Sequence, residues 1–116
     1  MTNVLVIGID PHTVPGMDGA TLRAALDAEL LRFADHGIDA AMTLVALDAT
    51  AGPAIVAALG ERTWDVVVIG GGIRKPEPLL TFFEHVVNLV RRHAPDAALA
   101  FNSSGGDSVE AARRWL

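Results

Sequence analysis

The sequence predicts an α/β protein, a three-layer sandwich in which helices cover both faces of a four-stranded parallel sheet. Three observations predict it. Four short apolar runs, at residues 4–9, 40–47, 66–69 and 97–101, alternate with amphipathic stretches in the order β-α-β-α-β-α-β-α. The first and third runs are nearly unbroken Val and Ile, as expected of strands covered on both faces. Alternation of this kind implies right-handed crossovers and therefore parallel pairing. The expected spatial order is 2-1-3-4, a truncated flavodoxin-like or half-Rossmann sheet.

Each helix carries its own pattern. Over residues 21–35, Leu22, Ala25, Leu26, Leu30 and Phe33 follow helical spacing, and His36-Gly37 ends the segment. A weaker helix over residues 53–60 turns Ile55, Val56 and Leu59 inward, with Pro53 suited to its first turn. The third, over residues 78–93, places Leu79, Phe82, Phe83, Val86, Leu89 and Val90 on one broad stripe. Arg91, Arg92 and His93 fall in its last turn, where cations complement the helix dipole. Asp107-Ser108-Val109-Glu110 has the spacing of a capping box and opens a fourth helix running into Trp115-Leu116. Trp115 is expected to pack against the sheet or a partner subunit. Asp39, Asp65 and Asp96 each introduce a strand, where a carboxylate can bond nearby amides.

Composition narrows the class. At 116 residues the chain is one domain, residues 1–116, able to bury roughly 65% of its unfolded surface. Hydrophobic residues at 51% and charged residues at 20% exclude disorder. The absence of cysteine excludes disulfides, thiolate nucleophiles, thiolate zinc sites and iron–sulfur clusters. A formal charge of −5 is the wrong sign for a generic nucleic-acid or anionic-membrane binder. No apolar run approaches the roughly 18 residues of a membrane span, and the start is too short for a signal peptide. A cytoplasmic domain is expected. The last strand is apolar enough to want cover at its edge, so a homodimer is expected too.

In an open parallel sheet, ligands bind beyond the carboxyl ends of the strands where strand order reverses. Order 2-1-3-4 puts that crevice between strands 1 and 3. Its walls are then Gly8-Ile9-Asp10-Pro11-His12 and Gly70-Gly71-Gly72-Ile73-Arg74-Lys75, bordered by residues 102–107. Gly70, Gly71 and Gly72 can present amides to an anion, and Arg74 offers a planar fork for carboxylate or phosphate. The same glycines also suit a sharp exit from a crowded strand. Lys75 occupies the position of the third glycine of a dinucleotide fingerprint, and no P-loop is present, so no nucleotide cofactor is expected. Lys75-Pro76-Glu77-Pro78 reads as an extended, stiff lead-in to the third helix, with Lys75 solvated.

Asp10 and His12 are candidates for base and acid. They are too few for a metal, and no completing spacing exists, so no metal is expected. Asp10 can equally brace its turn or pair with Arg74. Residues 13–19, rich in turn formers, read as a lid. Asn102 and Ser103 are candidates to complete the pocket beside a helix start, with Asp107 as N-cap. Asp48 reads as a turn residue. A phosphoacceptor role is excluded by Gly70, which stands where an Asp is needed, and a flavin site lacks its Ser/Thr-rich cradle. His85, Asn88 and Glu84 form a solvated or dimer-facing stripe.

Gly8-Ile9-Asp10-Pro11, Val68-Ile69-Gly70-Gly71-Gly72-Ile73-Arg74, Phe83-Glu84, Phe101-Asn102 and Arg114-Trp115-Leu116 resemble a family of short uncharacterised bacterial proteins of similar length. The resemblance implies a stand-alone bacterial protein and carries no activity, substrate or cofactor.

Two readings follow. In the first, a small enzyme binds a compact anionic metabolite through Arg74, Gly70, Gly71, Gly72 and Ser103. Asp10 is then its base, with His12 or Asn102 assisting in cofactor-independent acid/base chemistry. In the second, a non-catalytic small-molecule-binding or dimeric adaptor module uses the same crevice or the third-helix face.

Overall fold

The computed structural model describes residues 2–116. Its strands are β1 (Asn3–Ile9), β2 (Asp39–Val45), β3 (Val66–Ile69) and β4 (Ala98–Phe101). Its helices are α1 (Gly19–Asp35), α2 (Ala51–Leu59), the single turn α3 (Gly71–Arg74), α4 (Leu80–His93) and α5 (Ser108–Arg113). All strand pairs are parallel, in order β2-β1-β3-β4. That is the order the alternation predicts.

Because side chains alternate across a strand, the sheet builds two apolar layers. Leu5, Ile7, Val67 and Ile69 face Ile55 and Leu59 of α2 and Val86 and Val90 of α4. Val4, Val6, Val66, Val68 and Ala100 face Phe33 of α1 and Val109, Ala111 and Ala112 of α5. The sandwich therefore has α2 and α4 on one face and α1 and α5 on the other. Phe82 and Phe83 pack against the first layer, as their spacing predicts. Among the described residues, no helix is long and apolar enough to cross a membrane.

Local structure departs from the sequence reading in four places. Gly71–Arg74 is a helical turn, held by the Ile73 and Arg74 amides donating to Gly70 O and by burial of Ile73. Lys75 is not extended: its φ of −78° and ψ of −39° are helical, and its amide donates to Gly71 O at 2.8 Å. That bond outweighs the steric bias imposed by Pro76. Only Pro76 is extended, and a 3-10 turn at Glu77–Leu79 leads into α4.

The capping box is likewise not formed. Asp107 occupies the N-cap position of α5, yet its carboxylate accepts from the amides of Ser103 and Ser104. The α5 amide of Val109 is satisfied by Glu29 of α1, 3.0 Å away and only 3% exposed. Glu110 turns to Arg32 instead of back to its own cap. Trp115 is 60% exposed and does not pack against the sheet.

Candidate functional site

Strands β1 and β3 run side by side and in the same direction, with Ile7 paired to Ile69. Beyond their carboxyl ends lies a hollow of about 360 Å³, near the lower end of the roughly 300–1,000 Å³ typical of small-molecule sites. It occupies the crevice assigned by strand order. Its composition is a finding that the sequence reading did not anticipate. Leu22, Ala25 and Leu26 of α1, Leu44 of β2 and Leu47 just after it supply much of the wall. Pro11, Val14 and Met17 of the loop after β1 close another side, and Pro76 and Leu79 a third. The glycines Gly70, Gly71 and Gly72 and Asn102 make the polar end.

Why the space exists can be read from β1. Val4 and Val6 point toward α1 and are buried, and Gly8 is the next residue on that face. A Cβ on Gly8 would stand 3.3 Å from Leu44 Cδ2. With no side chain there, β1 leaves room beneath the amino-terminal half of α1, whose Leu22, Ala25 and Leu26 line the hollow. Phe33 near the end of α1 is fully buried, but Leu22 remains 38% exposed. The loop that covers the hollow is itself anchored: His12 sits against Gly19, where a Cβ would come within 2.9 Å of His12 Cδ2. Asp18 caps α1 through the Thr21 amide at 3.2 Å.

The glycine turn is shaped by close backbone approach. The Gly70 amide continues the ladder to Ile7 O at 2.9 Å, and a Cβ on Gly70 would lie 3.4 Å from that same oxygen. The Gly71 amide donates to Asn102 Oδ1 at 3.0 Å. Gly72 faces Ile9, whose Cγ1 would be 3.7 Å from an added Cβ. Asn102 is buried, and its Nδ2 donates to Ser108 Oγ at 3.0 Å.

Arg74 is brought close to Asn102 but not into the hollow. Its Nε donates to Ile69 O at 2.8 Å, and Nη2 donates to Asn102 O and, at 3.1 Å, to Asn102 Oδ1. The guanidinium carbon lies 5.1 Å from the Phe101 ring centroid. Burial pulls the guanidinium pKa down, opposed by the charge of Asp107. Lys75 is exposed, as expected, and its ammonium also donates to Ser103 O. Ser103 in turn donates through both its amide and its hydroxyl to Asp107. Burial works to raise the Asp107 pKa, but these hydrogen bonds outweigh it and hold the carboxyl below its ordinary value.

Asp10 and His12 come together at the rim. Asp10 Oδ1 accepts from the His12 amide at 3.0 Å and stands 3.4 Å from His12 Nδ1. Pro11 between them lines the hollow, while neither of their side chains does. Asp10 braces a 3-10 turn at Pro11–Thr13, one of the alternatives open from sequence. Asp48 braces its own turn through Thr50, whose hydroxyl and amide lower the carboxyl pKa. Among the described residues, no cluster of three or more His, Asp or Glu side chains is arranged to hold a metal.

The residues that sequence reasoning missed are the apolar ones. Leu22, Ala25 and Leu26 show helical spacing in the sequence, and a stripe facing a void has the same period as one facing a sheet. The signal that points to them is Gly8, a glycine on the helix-facing side of a strand otherwise built of Val, Leu and Ile. Compared with models of known protein families and with curated proteins, the chain matches none.

Proposed function

We propose that the protein is a small-molecule-binding module whose ligand has a compact apolar body and a single anionic head. The carrying observation is the apolar stripe of α1: Leu22, Ala25 and Leu26 line a cavity of about 360 Å³. A ligand body placed there removes this surface from water, at about 25 cal/mol per Å² of apolar area. The head belongs at the Gly70–Gly72 and Asn102 end: the Gly70 and Gly71 amides there are already donated within the protein, and the attraction is the positive charge of Arg74 and Lys75 behind the loop. Carboxylate is favoured over phosphate, because a more highly charged group costs more to strip of water among leucines.

The test is a thermal-shift series at neutral pH with hexanoate, octanoate, pyruvate and inorganic phosphate. Binding to the native state alone raises the melting temperature by mass action. Octanoate should raise it by several degrees, and pyruvate and phosphate should not. A shift with phosphate and none with octanoate would overturn this reading.

A second reading, a cofactor-independent enzyme, draws on the Asp10–His12 pair at the rim, with 3.4 Å between carboxylate and imidazole nitrogen. There the pair exchanges a proton with the exposed end of the ligand. Asp10→Asn separates the two: it abolishes turnover in an enzyme and leaves affinity unchanged in a binding module.

A further inference from the structure

Strand β4 ends the sheet, and among the described residues half of its backbone groups have no strand to pair with. Ala98 donates to Asp65 O on the β3 side. By the alternation of a parallel ladder, the backbone groups of Leu99 and Phe101 then point outward. Arg114 of the segment after α5 covers the outward carbonyl of Phe101 at 2.8 Å. The Leu99 amide and carbonyl and the Phe101 amide remain at an edge flanked by the 40% exposed Phe101 ring.

Helix α4 lies along this edge. Phe83 packs edge-on against Phe101, with ring centroids 5.9 Å apart, which fixes the side of α4 that overlies β4. His85 fixes the opposite side, since its Nε2 stands 3.4 Å from where a Cβ on Gly52 of α2 would be. At 100° per residue, the flank turned away from α2 and toward the open edge carries Leu80, Glu84, Val87 and Arg91. Leu80 is 58% exposed, Val87 is half-buried, and Glu84 and Arg91 are exposed. Among the described residues, neither Glu84 nor Arg91 takes part in an ion pair.

We propose that two copies of this chain pair through the β4 edge and the Leu80–Arg91 flank of α4, about a two-fold axis. The charge pattern selects a second copy as the occupant. Glu84 and Arg91 are two turns apart, about 10.5 Å along the axis, and their midpoint falls between Val87 and Asn88. When two α4 helices lie antiparallel about that point, Glu84 of each copy meets Arg91 of the other, with Val87 against Val87 between them. A two-fold interface must be complementary to itself in this way. The same axis sets the two β4 edges antiparallel, so that their outward amides and carbonyls can satisfy each other.

Sedimentation velocity from about 1 to 100 μM tests the proposal, with circular dichroism melts showing that each variant is folded. The wild-type chain should be a dimer. Glu84→Arg and Arg91→Glu each place like charges together twice, and each should raise the dimer dissociation constant at least about tenfold. Glu84→Arg combined with Arg91→Glu restores complementarity and should return it to within about threefold of wild type. A monomeric wild type throughout this range overturns the proposal, whatever other partner the edge takes. So do single reversals without effect, or a double variant as weak as the singles.

Discussion

Nη2 of Arg74 lies 3.1 Å from Oδ1 of Asn102, while Nε of the same guanidinium donates to Ile69 O at 2.8 Å. One side chain thus ties the end of β3 to the start of the loop after β4. The structural work of Arg74 at this end of the sheet is that of a clamp on two carbonyls and an amide oxygen. Arg74→Lys keeps the charge and loses the planar fork. Its urea midpoint should fall, by an amount corresponding to about 1–3 kcal/mol. Unchanged stability would show that the clamp carries nothing.

Asn102 is the buried hub that the clamp holds. Asn102→Leu strands the Gly71 amide and the Ser108 hydroxyl, removes one of the three acceptors of Arg74, and should cost about 2–4 kcal/mol. Asn102→Asp keeps the oxygen that Gly71 and Arg74 use, and Ser108 can reverse its hydroxyl to donate. It should cost less than half as much by the same denaturation assay. Equal losses would mean that bulk rather than hydrogen bonding matters here.

The amide of Val109 relies on a residue 80 positions away, Glu29. Glu29→Ala leaves that amide unpaired and deprives Arg32 of its 3.0 Å carboxylate partner. A loss of about 3 kcal/mol is expected. Glu29→Gln retains an acceptor oxygen and should lose distinctly less. Chemical denaturation of both variants gives the comparison.

Glu110 sets part of the acid response. The hydrogen bond from Arg32 holds its carboxyl below its ordinary value. A carboxyl whose folded-state value is depressed binds protons more readily when unfolded, so falling pH favours unfolding. The contribution is complete above the ordinary glutamate value of 4.5 and is lost as pH falls through the lower, folded-state value. Glu110→Gln should therefore flatten the acid limb of a stability–pH curve and change little above it. An acid limb as steep as wild type would remove the Arg32 contact from this explanation.

The sheet was legible in the sequence because strands covered on both faces need long apolar runs. Val66–Ile69 is bounded as its Val and Ile residues suggest. Features that depend on partners distant in the chain were not legible. Nothing local tells that Glu29 will reach α5, or that Arg32 will draw Glu110 out of a capping box. The α3 turn escaped because two glycines argue against helix, whereas buried Ile73 and the carbonyl of Gly70 impose one. At the candidate site, strand order located the crevice, but hydrophobic period alone could not show that Leu22 and Leu26 face empty space.

Gly8 is the residue on which that space depends. Gly8→Ala puts a methyl group 3.3 Å from Leu44 Cδ2, and the flexible end of Leu44 must shift into the hollow. Octanoate affinity should fall severalfold with little change in the melting temperature of the free protein. An unaltered affinity, measured by the same thermal shifts, would place the ligand elsewhere.

The most direct test is calorimetric titration of octanoate into the wild-type chain and into Ala25→Phe, a substitution that fills the hollow from the exposed side of α1. The account predicts one site on the wild type, with a negative heat-capacity change from apolar burial, and a loss of binding of at least about tenfold in the variant. Equal binding to both proteins, or no heat at millimolar octanoate with the wild type, would contradict it.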